Sequence, residues 1–389
     1  MKDILNKYFL DYRTILVFLG IFVIIASLQS YFAPLSLAPN NLEYTRYNNY
    51  IIFKQSFIHL IQSKDLFILY PHEYWDLYKY SPTFSLFFAP FAAMPDILGL
   101  ILWNLINALA VFFALKYLPL IADRQKIYML WFIFLELFTC LQNEQSNGLM
   151  AGLIIGAFVL LERKQLLLAT FCIVFSVYVK IFGAVAFSLL LLYPNKLRSI
   201  LYSILWIIIL ACLPLVAVSA EQLKFLYISW GKLLANDHSI SDGFSVIGWL
   251  NRWFSFYPNK LYVLITGIII FCIPLLRFKL YKDYLFRTMI LASVLIWVII
   301  FNHKAESPTF VIAISGVALW YFSAERKKLD LILLVIAFAF TIMAPTDFYP
   351  PFIRNEIFKP YVVKAVPCIL IWAKLIYDTM VYNKKAWET

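Results

Sequence analysis

Apolar positions along this chain gather into long runs and do not alternate with polar ones. About twelve such runs recur, near 14–33, 96–117, 127–141, 148–162, 165–179, 181–193, 199–219, 260–276, 284–302, 307–323, 330–346 and 361–381. Runs this long, without period-two alternation, predict helices that cross a bilayer and not the strands of a barrel. The runs at 165–179 and 181–193 are short. At about 1.5 Å per residue they cover roughly two-thirds of a ~30 Å core, so they read as one bent pair or as partial spans. Two stretches fit neither a span nor an open loop. In YNNYIIFKQSFIHLIQSKDLF, Ile52, Phe53, Phe57, Leu60 and Ile61 recur at helical spacing and predict a helix lying in the interface. YKYSPTFSLFFAPFAAMPD, residues 78–96, is too short to span and too apolar for a surface loop. A helix of about twelve residues is expected there, re-entrant or interface-lying, with Pro82 in its first turn and Pro95-Asp96 separating it from the next helix.

The expected fold class is therefore all-α: a polytopic helical membrane protein forming one domain over 1–389. Its parts are an N-terminal segment 1–13, an outer loop 34–95 with interfacial helices, a second outer loop 220–259, and a tail 382–389. Composition agrees, with 63% hydrophobic and 14% charged residues. The five cysteines all lie inside apolar runs, where free cysteine behaves as a small hydrophobe. The net charge of +11 would suit a nucleic-acid partner, but its placement argues against one. ERK at 162–164, NKLR at 195–198 and ERKK at 325–328 fall in short loops on one side, a topology signal that makes that side cytoplasmic. Both termini are then cytoplasmic, and the run at 14–33 reads as a retained anchor.

Unusual residues collect on the opposite, outer face. Glu43, Asp65, Glu73 and Asp76 lie in the first outer loop, each either a general base held over a membrane cavity or an ordinary solvated charge. Gln145 and Asn147, in the turn NEQSN, offer amide donors to an anionic or hydroxyl-rich ligand, or simply cap a helix. Lys180, among apolar neighbours, either neutralises a phosphate or snorkels to the interface. His303 and Glu306 flank Lys304 in FNHKAES, where histidine can hydrogen-bond a phosphate or hydroxyl. Glu136, mid-run in WFIFLELFTC, is a functional candidate or a buried protonated acid. Neither HxxxH nor a Walker loop, GxGxxG or GxSxG occurs, so no metal, no cofactor and no soluble-nucleotide site is expected.

In order, the chain shows an outer loop with an interfacial helix, aromatic-Lys-Tyr-x-Pro at 78–82, then Trp103-Asn104. Gln145-x-Asn147, Lys180, an outer Asn236-x-x-Ser239 and His303 follow. This order resembles the GT-C superfamily of integral-membrane glycosyltransferases, and specifically family 87, polyprenol-phosphate-mannose-dependent α-mannosyltransferases. The resemblance implies transfer of a hexose, mannose by analogy, from a polyprenyl-phosphate donor to a lipid or glycan acceptor. It implies an outward-facing site in a bacterial inner membrane, with membrane lipids as further partners. An acidic residue of the first loop would deprotonate the acceptor, and Lys180 and His303 would stabilise the leaving phosphate. Tyr78, Lys79 and Tyr80 would stand where the donor enters, with Gln145, Asn147, Asn236, Ser239 and Glu306 as further binding positions. One departure matters: anchoring the family's acidic pattern on Asp65 and Phe67 places Asn49 at the expected aspartate. Asparagine cannot act as a base, so Asn49 joins the binding positions. Either Glu43, Asp65, Glu73 or Asp76 takes over, or the mechanism differs, or the chain is inactive. Readings from other classes are a secondary transporter or flippase, and a periplasmic glycan ligase or polymerase.

Overall fold

Polar punctuation between the apolar runs decides where helices begin. Asp11, Ser81, Ser245, Asn259 and Asp283 each accept a backbone N–H of a first helical turn, satisfying a donor the helix leaves orphaned. The computed structural model describes residues 8–38, 40–236 and 241–383. Helix α1 (Tyr12–Phe32) leads to a two-stranded antiparallel ribbon, β1 (Ser36–Leu37) with β2 (Glu43–Tyr44), and then α2 (Asn48–Ile61). The short apolar stretch forms α3 (Pro82–Phe87) and α4 (Ala89–Ala92). The bundle continues with α5 (Asp96–Lys116), α6 (Asp123–Gln142), α7 (Asn147–Glu162) and α8 (Leu166–Val179). A 3-10 segment, Ile181–Leu192, precedes α9 (Lys196–Cys212). Then come α10 (Ala220–Asn236), α11 (Val246–Phe254), α12 (Lys260–Leu275), α13 (Tyr284–Ile300), α14 (Phe310–Phe322), α15 (Lys328–Ala337) and α16 (Val366–Val381).

The protein is an all-α, polytopic membrane bundle. Among the described residues three helical stretches, Tyr12–Phe32, Asp96–Lys116 and Lys196–Val216, are long and apolar enough to cross a membrane. The shorter α7, α13 and α14 are apolar all round and buried along most of their length, as helices in a bundle interior must be. α5 packs on α7, and α13 on α14 and α16. Small residues set the first of these contacts: a Cβ on Gly148 would stand 2.8 Å from the Asn107 carbonyl oxygen, and one on Gly152 2.5 Å from the Ala110 Cβ. α9 instead turns Leu197, Ile200, Leu201, Ile204 and Ile208 outward, a face suited to lipid.

Two expectations change. Residues 220–259 are not an open loop but carry α10 and α11. α10 buries only Leu223 and Leu226, so its pattern is too polar for a span yet sufficient for a helix laid across the first loop. The short apolar stretch is two helices, not one, because Pro90 begins a new helical turn after Phe88. It is held inside protein: Ser81 Oγ donates to the Tyr178 carbonyl at 2.6 Å and Thr83 Oγ1 to the Leu210 carbonyl at 2.6 Å. The pair read as doubtful resolves too. α8 leaves the turn at Lys164 and reaches Lys180, and the 3-10 segment returns to Lys196. At about 2.0 Å per residue a 3-10 helix travels further than an α-helix of equal length, so twelve residues suffice for the way back.

Helix order gives the bundle two distinct ends. The turns at 143–147, 180 and 302–309 share one end with the first loop. The basic turns at 162–164, 193–198 and 325–328 share the other.

Candidate functional site

At the first of these ends lies a cavity of about 580 Å³. α2 supplies Asn48, Asn49, Ile52 and Phe53, and the irregular segment between α2 and α3 supplies Trp75, Asp76, Leu77, Lys79 and Tyr80. Gln145, Lys180, Phe182, Leu234 and the turn 302–309 close the other sides.

Each wall is fixed by specific hydrogen bonds. Asn48 clamps Trp75 in both directions, Nδ2 donating to its carbonyl at 2.7 Å and Oδ1 accepting its N–H at 2.9 Å. The next residue, Asp76, has φ +79°, a left-handed conformation tolerated by aspartate because its own Oδ1 accepts the Leu77 N–H at 2.7 Å. Lys79 Nζ stands 3.4 Å from the same oxygen, and the Asp76 side chain remains 53% exposed, so its second oxygen is open to a ligand. Across the cavity runs a chain of side-chain bonds. Lys180 Nζ donates to Asn147 Oδ1 at 2.7 Å, Asn147 Nδ2 to Gln145 Oε1 at 2.6 Å, and Gln145 Nε2 to Glu306 Oε2 at 2.8 Å. Lys180 also lies over the Tyr80 ring at 5.6 Å. It makes no ion pair among the described residues, which leaves its charge available.

The support behind these groups is equally defined. Trp103 Nε1 donates to the Glu144 carbonyl at 2.7 Å, and Asn107 Oδ1 accepts the Leu149 N–H at 2.9 Å, fixing the turn that presents Gln145. Burial holds the Glu144 carboxyl well above its ordinary value. Glu136 pairs with Lys364 at 2.8 Å, and that ammonium also reaches Ser307 Oγ at 2.8 Å. The intramembrane acid thus anchors the residue next to Glu306. Gly243, at φ +54°, backs the His303 turn: a Cβ there would come 2.5 Å from the His303 carbonyl oxygen. Among the described residues no three His, Cys, Asp or Glu side chains group as a metal site.

Of the sequence-derived candidates, Asn49, Asp76, Lys79, Tyr80, Gln145, Lys180, His303 and Glu306 line this one cavity. Asn147 is buried directly behind it. The other three loop carboxylates do not line it. Glu43 sits in β2. Asp65 accepts Ser229 Oγ at 2.9 Å and the Phe67 N–H at 3.0 Å. Glu73 lies 2.8 Å from His59 Nε2, where burial pushes the imidazole below its ordinary value against the pull of that carboxylate. Tyr78 is wholly buried and donates to the Ser81 carbonyl at 2.8 Å. Asn236, the last residue of α10, is not among the residues lining the cavity, although Leu234 of the same helix is, and Ser239 lies outside the described residues. Sequence reasoning missed Asn48, Trp75, Asn302 and Thr309. Only Asn48 carried a signal, an Asn-Asn pair just ahead of the apolar stripe of α2.

An accessible carboxylate thus faces an uncompensated ammonium across a cavity at the end of a membrane bundle. The family model for glycosyltransferase family 87 matches residues 78–301, more than half of the chain. The chain belongs to glycosyltransferase family 87. No curated protein matches it. In this family 87 protein the matched segment includes Lys79, Tyr80, Gln145, Asn147 and Lys180. It begins downstream of all four loop carboxylates and ends just before His303 and Glu306. Family membership makes the protein a membrane glycosyltransferase; the choice of base rests on the cavity alone.

Proposed function

We propose that the protein transfers a hexose, mannose by analogy with the family it resembles, from a polyprenyl-phosphate donor to a lipid or glycan acceptor. Asp76 is the base. Its carboxylate takes the acceptor hydroxyl proton while that oxygen bonds to the anomeric carbon and the carbon–oxygen bond to phosphate breaks. The electron pair leaves on the phosphate, where Lys180 and His303 stabilise the growing charge. Glu306, tethered by Gln145, accepts a sugar hydroxyl. One observation carries the assignment: of the four loop carboxylates only Asp76 lines the cavity that also holds Lys180 and His303. The basic turns at the opposite end support a cavity facing outward from a bacterial inner membrane.

Purified protein given labelled polyprenyl-phosphate-mannose and membrane lipid extract should transfer the label. Asp76→Asn should lower the rate by roughly 10²–10⁴-fold, the usual contribution of a general base. Alanine at Glu43, Asp65 or Glu73 should leave most of it. If Asp76→Asn stays active while Glu306→Gln is inactive, the base is misassigned. Absence of both transfer and donor hydrolysis, with substrate-driven flux in vesicles, would favour a transporter.

A further inference from the structure

At the basic end of the bundle lies a second and larger cavity, about 1150 Å³, between the ends of α7, α12 and the 3-10 segment. Among the described residues four cations line it, Lys164, Lys196, Lys282 and Arg287, against one carboxylate, Glu162. Two of the four are already committed. Arg287 holds Glu162 through Nε at 2.6 Å and Nη2 at 2.8 Å. Lys196 Nζ donates to the carbonyls of Leu190 and Leu191, at 2.8 and 2.6 Å, and to that of Tyr193. Lys164 and Lys282 are exposed and have no acidic partner among the described residues. The wall on the α12 side is apolar: Cys272 and Leu275 in its last turn and Leu276 and Phe278 just after it, with Leu276 and Phe278 67% and 65% exposed.

We propose that this cavity binds an anionic phospholipid, its phosphate between Lys164 and Lys282 and an acyl chain along the α12 wall. A soluble phosphate would use the lysines and leave the apolar wall wet, and an apolar ligand would leave two ammonium groups unanswered. A lipid answers both, and the cavity stands where the apolar helices give way to basic turns, the level at which headgroups lie. The site is separate from the transferase cavity, at the other end of α7 and α8.

Native mass spectrometry of the full-length protein in neutral detergent tests this, with phosphatidylglycerol, phosphatidylcholine and glycerol phosphate as probes. Phosphatidylglycerol should bind more tightly than phosphatidylcholine, and Lys164→Gln and Lys282→Gln should each weaken it about fivefold. Phe278→Ser should weaken it too, and Lys328→Gln, at the same end but outside the cavity, should not. Equal binding of the two lipids would overturn the proposal, as would an equal loss in Lys328→Gln, which would mean general surface attraction. Glycerol phosphate competing as well as the lipid would show a headgroup-only site and would also overturn it.

Discussion

Four acidic residues within the first loop look alike in sequence, and the fold separates them by their neighbours. Asp65 and Glu73 are occupied by Ser229 and His59, residues that secondary pattern alone could not bring near. Asp76 keeps an open oxygen because the left-handed turn and the Asn48 clamp aim it into the cavity. Glu144 adds a pH signature to the same end of the molecule. Its carboxyl is raised by burial, so the folded chain holds a proton that the unfolded chain releases. The stability tied to that proton is complete below the ordinary carboxylate value of 4.5 and is lost as pH rises through the folded value. Glu144→Gln keeps the shape without the titration. Its Tm minus that of the parent, measured in detergent, should therefore grow from acid toward alkaline pH; a constant difference would show that Glu144 is not held protonated. Burial of His59 acts with the opposite sign, costing stability as pH falls below its ordinary value, and cancels from this difference.

At the scale of elements, hydropathy was a good guide wherever burial and membrane ask for the same thing. Every predicted apolar run contains a helical segment, though the run expected at 330–346 is α-helical only to Ala337 and continues as a π-helical segment to Ile342, and that expected from 361 starts as α-helix at Val366. The pattern failed where tertiary contact supplies what local sequence lacks. α10 is too polar to be recognised as a span and is held by its bonds to the first loop, Ser229 to Asp65 and Gln222 to the Ser63 carbonyl at 2.9 Å. The 3-10 form of Ile181–Leu192 has no counterpart in a composition any α-helix could share. α11 is preceded by Gly243, and this glycine offers the element-scale prediction. Alanine there would have to keep φ +54° and press on the His303 carbonyl, a strain of about 1–3 kcal/mol. The 302–305 turn, bonded to the same segment through Phe244 N–H and the Ala305 carbonyl at 2.9 Å, would shift to relieve it. Gly243→Ala should slow sugar transfer more than it lowers Tm. An unchanged rate would remove the His303 turn from the site.

For the whole molecule, the two ends of the bundle are chemically unlike, and this asymmetry makes the orientation testable. One end carries the cavity proposed for transfer, with carboxylates and cations mixed; the other carries the basic turns and the lysine-lined cavity. Lysine and arginine resist translocation, so the basic end should face the cytoplasm and the transferase cavity the outside. Lys64, exposed in the first loop, and Glu325, exposed in the turn before α15, report on opposite ends. Introduced singly as Lys64→Cys and Glu325→Cys, with Cys212 and Cys272 replaced by serine, they can be probed with a membrane-impermeant maleimide. In intact spheroplasts Lys64→Cys should label and Glu325→Cys should not, and lysis should expose the second. The reverse pattern would place the cavity in the cytoplasm. There a transferase would meet nucleotide-sugars as well as lipid-linked donors, and the choice of a polyprenyl-phosphate donor would lose its support.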